Sequence, residues 1–156
     1  MYRQVRVIPE QCTLQRILWR FAPEQEIQTY ELQTVTYGEA CSAFLVIRSL
    51  HQAAISMQHQ FPEAAEIIKR DFYVDDLLSG ANDIKNLLRI KEEITEILRL
   101  AKFKLHKWKS NHSSIIQSDV KTSVQFSEST KILGQLWDTQ FDTFCYTARP
   151  TASEAH

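Results

Sequence analysis

Apolar residues recur along this chain with two different periods, and each period marks a different kind of element. Where they return every third or fourth position, the spacing predicts helices. From Glu39 the stripe Ala40, Phe44, Ile47, Leu50, Ala54 and Met57 predicts a long helix. Phe61-Pro62-Glu63 starts a second, short one, with proline at the first helical position and acid in the first turn. The strongest helix has its cap at Asn82 or Asp83 and runs to Ala101. Its stripe is Leu87, Ile90, Ile94, Ile97, Leu98 and Ala101, while Lys85, Arg89, Glu92, Glu93 and Glu96 face water.

Alternation predicts strands elsewhere. Met1 to Val7 reads as the end of an element, Pro9 breaks the chain, and Glu10-Gln11-Cys12 forms a short turn. Thr13 to Phe21 is a strand candidate with a helical turn left open, and Ile27 to Thr36 is its antiparallel partner. Phe103 to Trp108 alternates and reads as a further strand. Lys131 to Trp137 and Thr143 to Tyr146, separated by 138–142, form a hairpin pattern. The polar, Ser-rich stretch from Asn111 to Ser129 is a loop with one short strand around Val124–Phe126, and 148–156 is an unstructured tail.

One short stretch stands out. Asp71-Phe72-Tyr73-Val74-Asp75-Asp76-Leu77-Leu78-Ser79-Gly80 predicts a hairpin with two carboxylates at or beside its tip. Phe72 and Val74 fall on one face, Tyr73 and Asp75 on the other. Adjacent carboxylates repel unless a cation stands with them, and hard divalent ions take oxygen ligands of this kind. An Asp-Asp pair in a turn is also ordinary solvated polar punctuation, so both readings stay open on these residues alone. Gly38, where the second strand turns toward the first long helix, has two readings as well. It permits the turn, or it opens a phosphate site at a helix N-terminus.

The 156 residues fit one domain, with 44% hydrophobic and 24% charged residues, as in soluble globular chains. A formal charge of −1 argues against a strongly basic nucleic-acid binder. The basic charge is local: Arg3, Arg6, Arg16 and Arg20 face Glu10 alone in residues 1–20, and Lys102, Lys104, Lys107 and Lys109 stand without an acid in 101–112. These lysines, with Phe103 and Trp108, fit a nucleic-acid or phosphate surface and equally the wet face of an edge strand. Cys12, Cys41 and Cys145 show no zinc spacing, which points to a reducing intracellular compartment. No apolar run is long enough to span a bilayer, and there is no Ser-His-Asp arrangement, P-loop or internal repeat.

Taken in order, these elements resemble the palm of reverse transcriptases, with wording similar to the BEL/Pao group of LTR retrotransposons. The residues that carry the likeness are Met1 to Val5, Leu18-Trp19-Arg20, Val35 to Leu45, Phe72 to Gly80, Leu105 to Asn111 and Ile132-Leu133-Gly134. The resemblance implies an RNA-directed DNA polymerase that transfers a nucleotide onto a primer 3′-hydroxyl by two-metal catalysis. It assigns Asp75 as a Mg²⁺ (or Mn²⁺) ligand and Asp76 as its less strictly required neighbour. Tyr73 and Val74 approach the primer terminus and the incoming nucleotide. Tyr37, Gly38 and Ser42 line the nucleotide pocket, although Ala43 stands where the family often has proline. A lysine of 102–109, with Lys107 and Lys109 the candidates, is placed near the leaving pyrophosphate, and Leu133-Gly134 in the hairpin that grips the primer strand. The implied partners are an RNA or DNA template–primer and a dNTP, with no membrane, in a cytoplasmic virus-like particle of the parent element.

The resemblance also implies a further aspartate a few residues before Met1; Asp71, Asp83 and Asp119 lack the context to replace it. Residues 1–147 are therefore expected to be a palm fragment of a longer polyprotein, inactive in primer extension by itself. The alternative from another class is a non-catalytic remnant acting at most as a nucleic-acid or protein-binding domain; a Mg²⁺ phosphohydrolase is a third reading. The expected fold is α+β, an antiparallel sheet of about four strands with helices packed on one face.

Overall fold

The computed structural model describes residues 1–112, 115 and 129–146. The chain clusters into two compact units, Met1–Leu105 and His106–His156. Its class is mixed α and β, with small antiparallel sheets and helices, as expected. The described strands form three separate sheets of two, two and three strands rather than one sheet of about four. The predicted strand around Val124–Phe126 and the tail 148–156 lie outside the described residues. Among the described residues no helix is long and apolar enough to cross a membrane.

The core of the first unit is helical. Helices α1 (Ser42–Met57), α2 (Pro62–Asp71) and α3 (Ile84–Leu100) bury one cluster of Leu50, Ala54, Ala65, Ile68, Ile94 and Ile97 with their neighbours. Each fully buried Leu or Ile contributes roughly 1.5–3 kcal/mol, so this cluster outweighs any surface pair. The small side chains of Ala54, Ala64 and Ala65, all fully buried, let α1 and α2 approach closely. On the rim, Arg89 of α3 pairs with Glu63 of α2 and with Glu93 one turn on.

Both ends of α3 follow from local chemistry. Asp83 adopts an extended backbone, and its carboxylate accepts from the Asn86 amide at 2.8 Å, satisfying one of the free donors of the first turn. Asp83→Ala is expected to lower stability by about 1 kcal/mol in urea unfolding; an unchanged midpoint would show that this cap is dispensable. At the other end Lys102 turns left-handed (φ 66°), and two backbone bonds close the helix: Phe103 N–H to Leu98 O at 2.8 Å, and Lys102 N–H to Arg99 O at 3.0 Å. Phe103 and Leu98 then lie buried in the same core.

That cap corrects the strand expected over Phe103 to Trp108. Phe103 is consumed in ending α3, Lys107 is again left-handed (φ 59°), and residues 103–110 form no strand. Two further expectations shift. Helix α1 starts at Ser42 and not at Glu39, and its buried positions are Ser42, Val46, Leu50 and Ala54, with Phe44 exposed. The stripe keeps Leu50 and Ala54 but is rotated around the helix.

Strand β1 (Arg16–Trp19) pairs antiparallel with β2 (Gln28–Glu31), as the alternation predicted. Both strands are shorter than their apolar runs. The break at Pro9 becomes a short 3-10 helix, Pro9–Leu14, and the N-terminal segment pairs beyond it. Val7 N–H donates to Gln33 O at 3.0 Å and Val35 N–H to Val5 O at 2.9 Å. Strands β3 (Phe72–Tyr73) and β4 (Asp76–Leu77) form the expected acidic hairpin.

In the second unit β5 (Ser129–Ile132), β6 (Gln135–Asp138) and β7 (Thr143–Cys145) form a three-stranded antiparallel sheet. The 139–142 connection between β6 and β7 matches the predicted hairpin. Asp138 holds it by accepting from the Gln140 and Phe141 amides at 2.9 and 3.1 Å. The run Lys131–Trp137 alternates as one strand, yet it is itself a hairpin, with its turn where the resemblance implies one. Ile132 pairs Gln135, so Leu133-Gly134 is a two-residue loop with φ of 49° and 84°. Positive φ at both loop residues matches the twist of the flanking strands; it suits glycine and is unusual for leucine.

Candidate metal and nucleotide site

The acidic hairpin is built from the helices upward. Helix α2 ends at Asp71 and runs straight into β3, so the hairpin stands on a helix end. Phe72 and Leu77 are partners across the ladder, and both pack onto the helical core. Tyr73 pairs with Asp76, which leaves Val74 and Asp75 as the loop. The alternation is as expected: Phe72, Val74 and Leu77 are half-buried, and Tyr73, Asp75 and Asp76 are exposed.

Val74 carries a φ of 55°, a region that a β-branched residue enters only under strain. Such strain costs on the order of 1–3 kcal/mol and persists where packing over-determines it. The packing is visible. Val74 rests against a second buried cluster, Tyr2, Val35 and Val46, together with Val5 and Val7. Anchored on both sides, the loop holds the following two aspartates out to solvent.

Charge distinguishes the three carboxylates of this stretch. Asp71 is fully engaged: Arg70 donates to it through Nε at 2.6 Å and Nη2 at 2.9 Å, and the Ser79 hydroxyl donates at 2.7 Å. Leu78 N–H also donates to the Asp71 carbonyl at 3.1 Å, so Asp71 fastens both the entry and the exit of the hairpin. By contrast, the carboxylates of Asp75 and Asp76 have no hydrogen-bond or ion-pair partner among the described residues. Two adjacent, unpaired, exposed carboxylates remain at the tip.

The clamp at Asp71 carries its own pH signature. The Arg70 guanidinium holds the carboxyl below its ordinary range; partial burial works against this, and the Ser79 hydroxyl adds to it. A depressed folded-state pKa stabilises the fold above the unfolded value of about 4 and ceases to do so as pH falls through the folded value. The stability gap between wild type and Asp71→Asn in urea unfolding is therefore expected at neutral pH and to close below about pH 4. A gap that persists undiminished at low pH would show that the charge of Asp71 is not what matters.

The Tyr37-Gly38 motif reaches the same cluster from another part of the chain. Tyr37, largely exposed, stacks on buried Tyr2 with centroids 4.2 Å apart and planes at 34°. Gly38 has φ 93°, and a Cβ added there would meet nothing within 4 Å, so glycine is required by the turn and not by a close neighbour. Gly38 lies four residues before α1 rather than at its start. Ser42 is buried at the first position of α1, and its hydroxyl donates to the Thr36 carbonyl, tying the loop to the helix. The side chains brought onto one cluster are thus Tyr2, beneath Tyr37, and Val74, beside Tyr73, Asp75 and Asp76.

Lys107, Lys109, Leu133 and Gly134 belong to the second unit. Lys107 and Leu133 are exposed and left-handed there, Leu133 and Gly134 forming the β5–β6 turn. Sequence reasoning missed three residues of the first unit. Tyr2 had no signal of its own, because its role depends on contact with Tyr37. Asp71 and Ser79 stand just before and just after the hairpin, a spacing that was a legible sign of a clamp. Among the described residues no group of three His, Cys, Asp or Glu side chains stands together as a metal cage. Comparisons with protein-family models, curated proteins and solved structures find no match to this chain.

Proposed function

We propose that this chain is the palm portion of an RNA-directed DNA polymerase, similar to those of BEL/Pao-type retrotransposons. On this reading Asp75 and Asp76 hold Mg²⁺ or Mn²⁺ at the acidic hairpin. The observation that carries it is the strained Val74 turn. It presents two partner-free carboxylates on a hairpin anchored to a rigid helical core, beside an exposed tyrosine.

The donor set fits a hard divalent ion. Mg²⁺ takes oxygen ligands and commonly uses one or two carboxylates with substrate phosphates and water. Bound there, the ion would neutralise charge on a transferring phosphoryl group and orient its oxygens. The protein's own part is positioning. The hairpin keeps the two carboxylates fixed relative to Tyr73, whose exposed ring offers a surface to a base or sugar. Tyr37, stacked on Tyr2, is held in place before any ligand arrives, as a nucleotide-facing ring requires. Two-metal chemistry calls for a further carboxylate, and on this reading it comes from a neighbouring strand that would also extend the small sheets toward the four-stranded palm. Lys107, Lys109, Leu133 and Gly134 keep the pyrophosphate and primer roles that the resemblance implies.

The test is a Mn²⁺ titration of isotope-labelled protein, followed by paramagnetic broadening of backbone amides. Broadening centred on Tyr73–Leu77 that is lost in the Asp75→Asn, Asp76→Asn double variant supports the reading. Uniform broadening, or none at the hairpin at millimolar Mn²⁺, would remove its basis.

A further inference from the structure

The β1–β2 hairpin carries a second surface that the polymerase reading leaves unused. Cross-strand pairing of Ile17 with Tyr30 and of Trp19 with Gln28 sets these four residues on one face. Arg16 and Glu31 pair on the opposite face at 2.9 Å, so their charges cancel away from it. Phe21 completes the first face. Its ring meets Trp19 edge-on, with centroids 6.3 Å apart at 83°, and Tyr30 at 6.2 Å and 84°. Edge-on contact leaves ring faces open: Trp19 is 53% and Phe21 76% exposed. Together with Arg20, Gln25 and Glu26 these rings line a cleft of about 460 Å³, a size suited to a small planar ligand.

The polar groups at the cleft are of three kinds. Arg20 donates through Nη1 to the Pro23 carbonyl at 2.7 Å and has no acidic partner among the described residues, so its remaining N–H groups can meet a phosphate. The Gln28 side-chain oxygen accepts from the Tyr30 hydroxyl at 3.0 Å, which fixes the amide and leaves its NH₂ as a donor. Glu26 supplies an acceptor for an exocyclic amino group. Open aromatic faces, an unpaired arginine and amide and carboxylate edges are what an unpaired nucleotide needs for stacking, charge and hydrogen bonding.

We propose that this cleft binds one nucleotide of a single strand, its base stacked on Phe21 or Trp19 and its phosphate on Arg20. The site is distinct from the acidic hairpin. It rests on the polymerase reading for why a strand would pass, and on the cleft alone for its chemistry. The experiment uses the whole chain and fluorescein-labelled eight-nucleotide single strands, read by anisotropy at low salt with EDTA present, so that no hairpin metal takes part. Phe21→Ala is expected to weaken binding about tenfold or more, the loss of one stacked base. Arg20→Gln should weaken it and flatten its salt dependence by about one phosphate contact. Thr29→Ala, on the opposite face, should leave it unchanged, and Phe21 is exposed enough for its removal to spare the fold. A parallel amide-shift titration with adenosine monophosphate identifies the source. Saturable shifts in residues 19–30 mean that a free nucleotide suffices, and shifts with the oligonucleotide alone mean that a strand is required. Equal binding by wild type, Phe21→Ala and Arg20→Gln overturns the proposal. So does self-association that Phe21→Ala abolishes in the absence of oligonucleotide binding, which would make the face a protein interface.

Discussion

Replacing Asp75 and Asp76 together with asparagine is expected to weaken Mn²⁺ binding at the hairpin on the order of a hundredfold or more, because both charges facing the ion disappear. The size follows from simple electrostatics. Two unit charges 4 Å apart in water attract by about 1 kcal/mol, and a divalent ion doubles that for each carboxylate. Neutral amide oxygens keep the shape of the ligands but little of their attraction for a hard cation. Asp71→Asn serves as the contrast. Its carboxylate is already neutralised by Arg70 and capped by Ser79, so its loss should cost far less Mn²⁺ affinity while loosening the hairpin base. If the two substitutions weaken Mn²⁺ equally, the distinction between paired and unpaired carboxylates is wrong. If neither does, the ion is held elsewhere.

The hairpin was legible in the sequence because its signals agree. Alternation over Asp71 to Leu77 decides which side chains are buried, and two acids at the turn decide what is offered to solvent. The Asp83 cap was legible for the same reason, a short polar residue immediately before a strong apolar stripe. What escaped detection depended on contacts between distant residues or on backbone states that composition does not report. Phe103 reads as the first residue of an alternating strand, yet it closes α3 by bonding back to Leu98. Leu133 gives no hint of a positive φ by itself; the resemblance implies a hairpin at Leu133-Gly134, and the pairing of Ile132 with Gln135 puts a two-residue turn there. Of the candidate site, the sequence and its resemblance pointed to Tyr37, Gly38, Ser42, Tyr73, Val74 and the aspartates, but not to the surface that joins them. That surface is Tyr2, Val35 and Val46, drawn from three segments, with Val74 resting on it. The small separate sheets are the least legible feature. Strand alternation fixes which side chains share a face but carries no record of which strands find each other.

Leu50→Ala is expected to cost about 2–5 kcal/mol, a large part of the total stability of a domain this size, whereas Phe44→Ala should cost under about 0.5 kcal/mol. Both residues lie on the apolar stripe that the sequence predicts for α1, and a reading by periodicity alone would treat them alike. The structure separates them. Leu50 is fully buried in the cluster with Ala54, Ala65 and Ile68, so its truncation leaves a cavity that neighbouring alanines cannot collapse to fill. Phe44 is 67% exposed, because α1 is turned to bury Ser42 and Val46 instead. That rotation has a polar cause: the Ser42 hydroxyl finds the Thr36 carbonyl, which makes a small polar residue acceptable inside and leaves a large aromatic one outside. Urea unfolding followed by the helical circular-dichroism signal is the measurement, since α1, α2 and α3 all lie within Met1–Leu105. Comparable losses for the two variants would mean that α1 is seated as the periodicity suggests. The loop it anchors, with Tyr37 and Gly38, would then be differently placed against the aspartate hairpin.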